Sequence, residues 1–201
     1  DLYIKSLKTL RQYPELLAYL DKLNRHKPIE KSKYFDDAQA ETEFIKCLEP
    51  MQNGSKEEQI EAKFAIAEFY SLIKEDEEKA LSAIHDYLNI SGNSDDSYER
   101  IVNFFKGVGK RDRAIKYANQ WKTKAPENYE PYEILGQMYL SNHQMQEADD
   151  SFSALITKNT GYGNVFVAVY EKYSQHRENE AAIEWLEKRV PTVLNVSNNV
   201  E

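Results

Sequence analysis

The chain has one cysteine, Cys47, among 201 residues. That excludes a disulfide within the chain and any metal site built from cysteines. Cys47 stands on a helical stretch beside Ile45 and Leu48 with no histidine near it in sequence, so it reads as a partly buried thiol and not as a nucleophile. Histidine is scarce as well. His26, His85, His143 and His176 make no close pair at ligand spacing. No apolar run is long enough to span a bilayer. Gly107-Val108-Gly109-Lys110 lacks the further glycines of a phosphate loop and reads as a tight turn. Strand-like alternation is missing throughout. Positive charge is in deficit: the net charge of −8 argues against binding nucleic acid or an anionic membrane through the whole surface. No cofactor, metal or catalytic constellation is implied. There is no secretory leader, and the chain opens at Asp1 without a methionine, so it reads as an excised or processed fragment. Asn-x-Ser triplets at Asn53, Asn89 and Asn195 occur by chance in a chain rich in both residues and decide nothing about compartment. A cytoplasmic place is favoured only slightly over an envelope or secreted one.

What is present is a period. Ala80, Ala114, Ala148 and Ala182 stand 34 residues apart. Sixteen residues before each lies an aromatic: Phe64, Tyr98, Tyr132 and Phe166. Three residues after each aromatic comes Ala67, Ile101, Leu135 or Val169, and four further on come Phe105, Tyr139 and Tyr173. Tyr132, Leu135 and Tyr139 therefore share one helix face, and Ala148, Phe152 and Leu155 share a face of a second helix. The polar run Ser141–Glu147 reverses the chain between them. An alanine at the crossing lets two helices approach closely, and aromatics fill the space beside it. Such a hairpin is too thin to bury its second face, so the next one must stack on it.

The pattern resembles the tetratricopeptide repeat, whose consensus spaces an aromatic, Leu-Gly, Tyr, Ala, Phe and Pro over this period. Tyr132, Leu135-Gly136, Tyr139, Ala148 and Phe152 match place by place, as do Tyr98, Ile101, Phe105, Gly109, Ala114 and Pro126. The resemblance covers roughly residues 61–194. It implies an all-α, right-handed superhelical solenoid of antiparallel helix pairs. Two departures stand out. The small residue beside Leu135 is Gly136 in one unit only, the equivalent places holding Glu68, Val102 and Tyr170. In the first unit the second aromatic falls on Ser71, with Tyr70 one residue early, which implies a one-residue slip in the turn.

In chain order, Leu2, Leu7 and Leu10 suggest the second helix of a repeat begun before residue 1. Pro14 suits a first turn, and Leu16, Leu17, Leu20 and Leu23 give an apolar stripe that Lys27-Pro28 ends. Tyr34 or Phe35, Ala38, Ile45 and Leu48 continue as a longer helix. Residues 1–54 are thus expected to form degenerate N-terminal repeats, and 55–194 four repeats at about 61–94, 95–128, 129–162 and 163–194. A tail, 195–201, follows. Met51-Gln52-Asn53-Gly54 is a turn, and Ser55 with Glu58 forms a capping box. Helices are predicted over roughly 56–73, 77–90, 95–107, 111–124, 129–141, 145–158, 163–175 and 179–190, with Pro191 ending the last. Asn-Gly, Ser-Gly and Gly161-Tyr162-Gly163 supply turns.

Charge is uneven in one block. Arg100, Lys106, Lys110, Arg111, Arg113, Lys116, Lys122 and Lys124 face Asp112 alone. One reading is a docking patch for an acidic protein or nucleic acid. The reading preferred from sequence is stacking register. Turns with Glu75-Asp76-Glu77-Glu78, then Lys110-Arg111-Asp112-Arg113, then Glu147 and Asp149-Asp150 alternate in sign along one edge, a modest and salt-screened effect.

The resemblance also implies a concave groove lined by first-helix residues off the packing stripe. By position these are Asp96, Glu99, Asn103 and Lys106, then Glu130, Glu133 and Gln137, then Asn164, Val167 and Glu171. Relatives that clamp a terminal carboxylate use Lys, Asn and Arg there. Acids and amides predominate here, so a basic or neutral polar partner segment is expected. The function implied is a non-catalytic protein-interaction scaffold that binds another protein or peptide, not nucleic acid, without membrane insertion. Two alternatives are a regulatory or substrate-presenting arm of a larger enzyme such as a transferase, and a self-association module, a homo-oligomer through terminal repeats.

Overall fold

The computed structural model describes residues 2–23, 30–31, 33–34, 38–157, 165–176 and 178–197, and no strand occurs among them. His26, the stop at Lys27-Pro28, Phe35, the Gly161-Tyr162-Gly163 turn and Asn164 lie outside the described residues. The chain is all-α, built of helix pairs of the tetratricopeptide type, and divides into two compact units, Asp1–Ser94 and Asp95–Glu201.

The first unit contains α1 (Leu2–Thr9), α2 (Tyr13–Lys22), α3 (Ala38–Gln52), α4 (Lys56–Phe69), a π-helical turn (Tyr70–Lys74) and α5 (Glu77–Ser91). On α1 the buried residues are Ile4 and Leu7, three apart, while Leu2 and Leu10 are exposed at 84% and 67%. The expected leucine stripe of this helix is therefore corrected: the 4/7 pair faces α2, and the two outer leucines fall off that face. On α2, Leu16, Leu17 and Leu20 are buried as their spacing predicts, and Pro14 sits in the first turn. Phe44 and Phe69 stack at 4.5 Å between centroids and join α3 to α4. Ser55 begins α4 with a complete capping box: its Oγ accepts from Glu58 N–H at 3.2 Å, and its own N–H donates to Glu58 Oε2 at 2.7 Å.

The second unit contains α6 (Asp95–Gly107), α7 (Arg111–Lys124), α8 (Glu130–Ser141), α9 (Met145–Thr157), α10 (Val165–Gln175) and α11 (Asn179–Ser197). Each odd-numbered helix packs against the one before it, and α8 also packs on α7. The alanines at the crossings are buried in both units, at 0 to 3% exposure. Gly136 is required where it stands. A Cβ there would drive into the ring of Phe152, so its absence lets that ring lie on α8. One period earlier the equivalent pair is Val102 and Ala118, both fully buried, with the small residue moved to the other helix. The expected end of the last helix is corrected too. Helix α11 continues through Pro191 to Ser197, and the apolar spacing of Val190, Val193 and Leu194 carries the helical pattern on. A proline in a helix removes one backbone hydrogen bond and costs about 3 kcal/mol, which the rest of a helix can absorb.

The hairpin tips share a geometry. Glu75, Gly109 and His143, 34 residues apart, take left-handed backbone at φ 51°, 75° and 57°. The next residue then bonds back across the helix end: Lys110 N–H to Phe105 O at 2.9 Å and Gln144 N–H to Tyr139 O at 2.9 Å, with Glu178 N–H to Tyr173 O at 3.0 Å in the last pair. In the first unit Asp76 N–H reaches one residue further back, to Tyr70 O at 3.0 Å. The slip read from Tyr70 and Ser71 is thus taken up by the widened π turn at the end of the helix, not in the loop.

Candidate partner-binding face

Helix α6 buries Tyr98, Ile101, Val102 and Phe105 and carries Asp95 and Asp96 in its first turn, where carboxylates suit the helix dipole. That leaves Asp96, Glu99, Asn103 and Lys106 exposed on the other side. Asn103 Nδ2 donates to Glu99 Oε1 at 3.4 Å. One period on, α8 buries Tyr132, Leu135 and Gly136, and Gln137 Nε2 donates to Glu133 Oε1 at 3.3 Å. Glu99 and Asn103 recur as Glu133 and Gln137, so the two first helices carry the same carboxylate–amide pair at the same places. In each pair the amide carbonyl and the second carboxylate oxygen are acceptor groups, suited to N–H donors from a chain or a basic side chain. On α10 the equivalent places are Val167 and Glu171, both exposed beside Tyr170.

Two of the anticipated groove carboxylates have work of their own. Glu133 is half-buried, and Lys172 of α10 reaches it with Nζ 3.3 Å from Oε1, the two side chains being 23% and 20% exposed. This ion pair ties α8 to α10. Glu130 accepts from Asn128 Nδ2 at 3.3 Å while its own N–H donates to Asn128 Oδ1 at 2.9 Å. The same Asn128 Nδ2 donates to Asp95 Oδ2 at 3.0 Å, and Asp95 Oδ1 accepts from the buried Trp121 Nε1 at 2.7 Å. Glu130 thus belongs to a polar clasp that fastens the α7–α8 link to the start of α6.

Sequence reasoning missed Lys172 and the Asp95–Trp121 clasp. Places equivalent to Lys172 hold Met138 and Phe104, so no period marks it. His143 and His176, 33 residues apart at the tips of successive helix pairs, are both exposed. Among the described residues no group of His, Cys, Asp and Glu is arranged to hold a metal ion, and no helix is long and apolar enough to cross a membrane. Cys47 lies on an exposed part of α3, yet partial burial of its thiol, with Glu43 nearby, pushes its pKa up and keeps it from being a reactive thiolate. A cleft in the second unit, beside Met145, Asp149, Tyr173 and Trp185, holds about 190 Å³. Small-molecule sites run from roughly 300 Å³ upward.

Solved structures similar to the chain include MamA from strain AMB-1, 17% identical with a TM-score of 0.44, covering 88% of this chain and 91% of that one. MamA 41-end from Desulfovibrio magneticus RS-1 is 15% identical with a TM-score of 0.45, covering 94% and 96%. A double mutant of the RS-1 protein is 14% identical with a TM-score of 0.46, covering 95% and 97%. No curated protein matches the chain. The family model of the ChAPs, the Chs5p-Arf1p-binding proteins, matches residues 32–198, and the chain belongs to that family.

Proposed function

We propose that this chain is a protein-interaction scaffold without catalytic activity of its own. In this reading the first helices of the second unit, α6, α8 and α10, receive a basic or neutral polar segment of a partner protein. The observation that carries it is the recurrence of one carboxylate–amide pair, Glu99 with Asn103 and Glu133 with Gln137, at equivalent places on successive first helices. Packing of the buried stripe has no use for such a pair, although Glu133 also ties α8 to α10 through Lys172. A partner chain has: its N–H groups and cations find acceptors at a regular interval. The family's description as Chs5p-Arf1p-binding proteins supports a protein partner, and proteins of those two kinds are the first to try.

The test is a titration of Arf1p, and separately of Chs5p, against wild type and a Glu99→Lys/Glu171→Lys variant at fixed salt. Both positions are exposed, so the fold stays intact. Glu133 is avoided because reversing it would break the tie to Lys172. A loss of about 1–3 kcal/mol, roughly 5- to 150-fold in affinity, is expected. Equal affinities, with both proteins equally helical by circular dichroism, would move binding off this face.

A further inference from the structure

We propose that Asn53 is a site of spontaneous deamidation, placed at the joint of α3 and α4 and gated by the last turn of α3. Asparagine is a thermolabile residue. It reacts when the backbone nitrogen of the next residue attacks its side-chain carbonyl, and glycine there hinders the attack least because it has no Cβ. Asn53-Gly54 is the chain's single Asn-Gly pair. The fold has a use for both members. Asn53 closes α3: its backbone N–H and its Nδ2 donate to the same carbonyl, Glu49 O, at 3.0 and 2.9 Å. Gly54 leaves room for the capping box. A Cβ there would push away the Glu58 carboxyl that accepts from Ser55 N–H. Local structure thus keeps a reactive pair in place.

What holds the reaction back is slight. Gly54 N–H, whose nitrogen is the nucleophile, donates to Met51 O at a long 3.2 Å. The side-chain amide to be attacked is tied by its bond to Glu49 O. Both bonds belong to the last turn of α3, and Asn53 is exposed there. That turn is weak at its root, because Pro50 stands within the helix and has no N–H to offer the Lys46 carbonyl. Gly54 is anchored from the other side, its carbonyl accepting from Gln59 Nε2 at 3.0 Å. Fraying of a helix end is among the least costly openings of a fold. When residues 50–53 fray, Gly54 stays with α4 while the Asn53 side chain turns onto its nitrogen.

In the reaction, base removes the Gly54 amide proton and the nitrogen bonds to Asn53 Cγ. The Cγ–Nδ2 bond breaks, and Nδ2 leaves as ammonia, taking its third proton from water. One water molecule then opens the succinimide ring at either carbonyl. One route gives aspartate at position 53, the other isoaspartate, joined to Gly54 through its side-chain carbon. The balance is amide plus water to carboxylate plus ammonium, with nothing oxidised or reduced. Either product undoes the closure of α3. A carboxylate has no proton to donate to Glu49 O, and its charge sits at a helix C-terminus, where the dipole opposes it. Glu57 and Glu58 follow just beyond the capping serine. Isoaspartate also lengthens the backbone of the turn by one atom. The joint across which Phe44 and Phe69 stack is thereby loosened.

The experiment ages the full chain in warm, mildly alkaline buffer, folded and in urea. Peptide mapping by mass spectrometry follows each asparagine, and enzymatic methylation of isoaspartate gives a second readout. The variants are Asn53→Gln and Pro50→Ala, which returns the missing N–H. In the folded wild type, Asn53 should gain one mass unit about tenfold or more faster than the exposed Asn93, which precedes a serine. Isoaspartate should fall to background in Asn53→Gln. Pro50→Ala should slow the folded reaction severalfold and leave the rate in urea unchanged. Fast reaction in urea, with folded Asn53 no faster than Asn93, would show that the turn protects its own pair. Slow reaction in urea would show that the pair is not reactive. An unchanged folded rate in Pro50→Ala would remove the last turn of α3 as the gate. Each of these three results overturns the proposal. Aged wild type should also melt below aged Asn53→Gln, and equal melting points would overturn the loosening of the joint.

Discussion

Gly136 and Phe152 condense the packing of a helix pair into two residues. The missing Cβ and the ring occupy one space, and Val102 with Ala118 divides the equivalent space the other way. Gly136→Ala should cost about 1–3 kcal/mol, because the new methyl meets an aromatic ring held on all sides. If volume is what matters, Gly136→Val combined with Phe152→Ala should recover much of that loss, since it copies the Val102–Ala118 arrangement. Urea denaturation of the single and double variants checks both. A double variant no more stable than the sum of its single changes would show that the two pairs are not interchangeable. The alanine and aromatic places were legible in the sequence because a 34-residue period repeats them. The left-handed places were not. Glu75 carries no residue signal for positive φ and His143 only a weak one, while Gly109 announces itself.

At the scale of elements, the first unit is held by a polar knot where α3 meets the π turn and α5. Glu41 Oε1 accepts from Lys79 Nζ at 3.0 Å and from the Tyr70 hydroxyl at 2.9 Å, with Lys74 Nζ 3.6 Å from Oε2. Burial alone would raise the pKa of Glu41. The hydrogen bonds from Lys79 and Tyr70, with the charges of Lys79 and Lys74, outweigh it and hold the carboxyl below its ordinary 4.5. A pKa lowered on folding contributes stability above the unfolded value and loses it as pH falls through the folded one. Wild type should therefore exceed Glu41→Gln by about 0.5–1 kcal/mol from pH 7 down to pH 5 or so, with the gap closing below about 4.5. Unfolding free energies measured across that range give the answer, and a gap that persists at pH 3 would point to packing instead of charge. This knot was not legible in the sequence. Glu41 and Lys79 lie 38 residues apart, and nothing in their spacing connects them. The capping box at Ser55 was legible, because its partners sit three residues apart and the backbone decides the geometry.

For the molecule as a whole, two compact units each bring a buried cluster. One is built around Leu16, Leu20, Phe44 and Phe69, the other around Ala148, Phe152, Tyr173 and Trp185. Residues 95–201 expressed alone should then stay helical and unfold in one cooperative transition, with a lower midpoint than the full chain, as expected when stability is summed over neighbouring repeats. Circular dichroism and thermal melting check this, and a fragment without a transition would mean that the unit cannot hold its own core. The candidate face was half legible at this scale. Glu99, Asn103, Gln137 and Glu171 could be placed by period alone, but the demands on Glu130 and Glu133 come from side chains with no periodic marker, Asn128 and Lys172. The π turn at Tyr70–Lys74 bears on how such a chain changes over generations. Its helix end runs one residue out of step with the others, yet Ala80 still stands 34 residues before Ala114. Phe64, Ala67 and Glu75 keep the same interval to Tyr98, Ile101 and Gly109, so the change is one of winding and not of length, and a repeat of this kind can move an aromatic by one place at its tip without gaining or losing a codon.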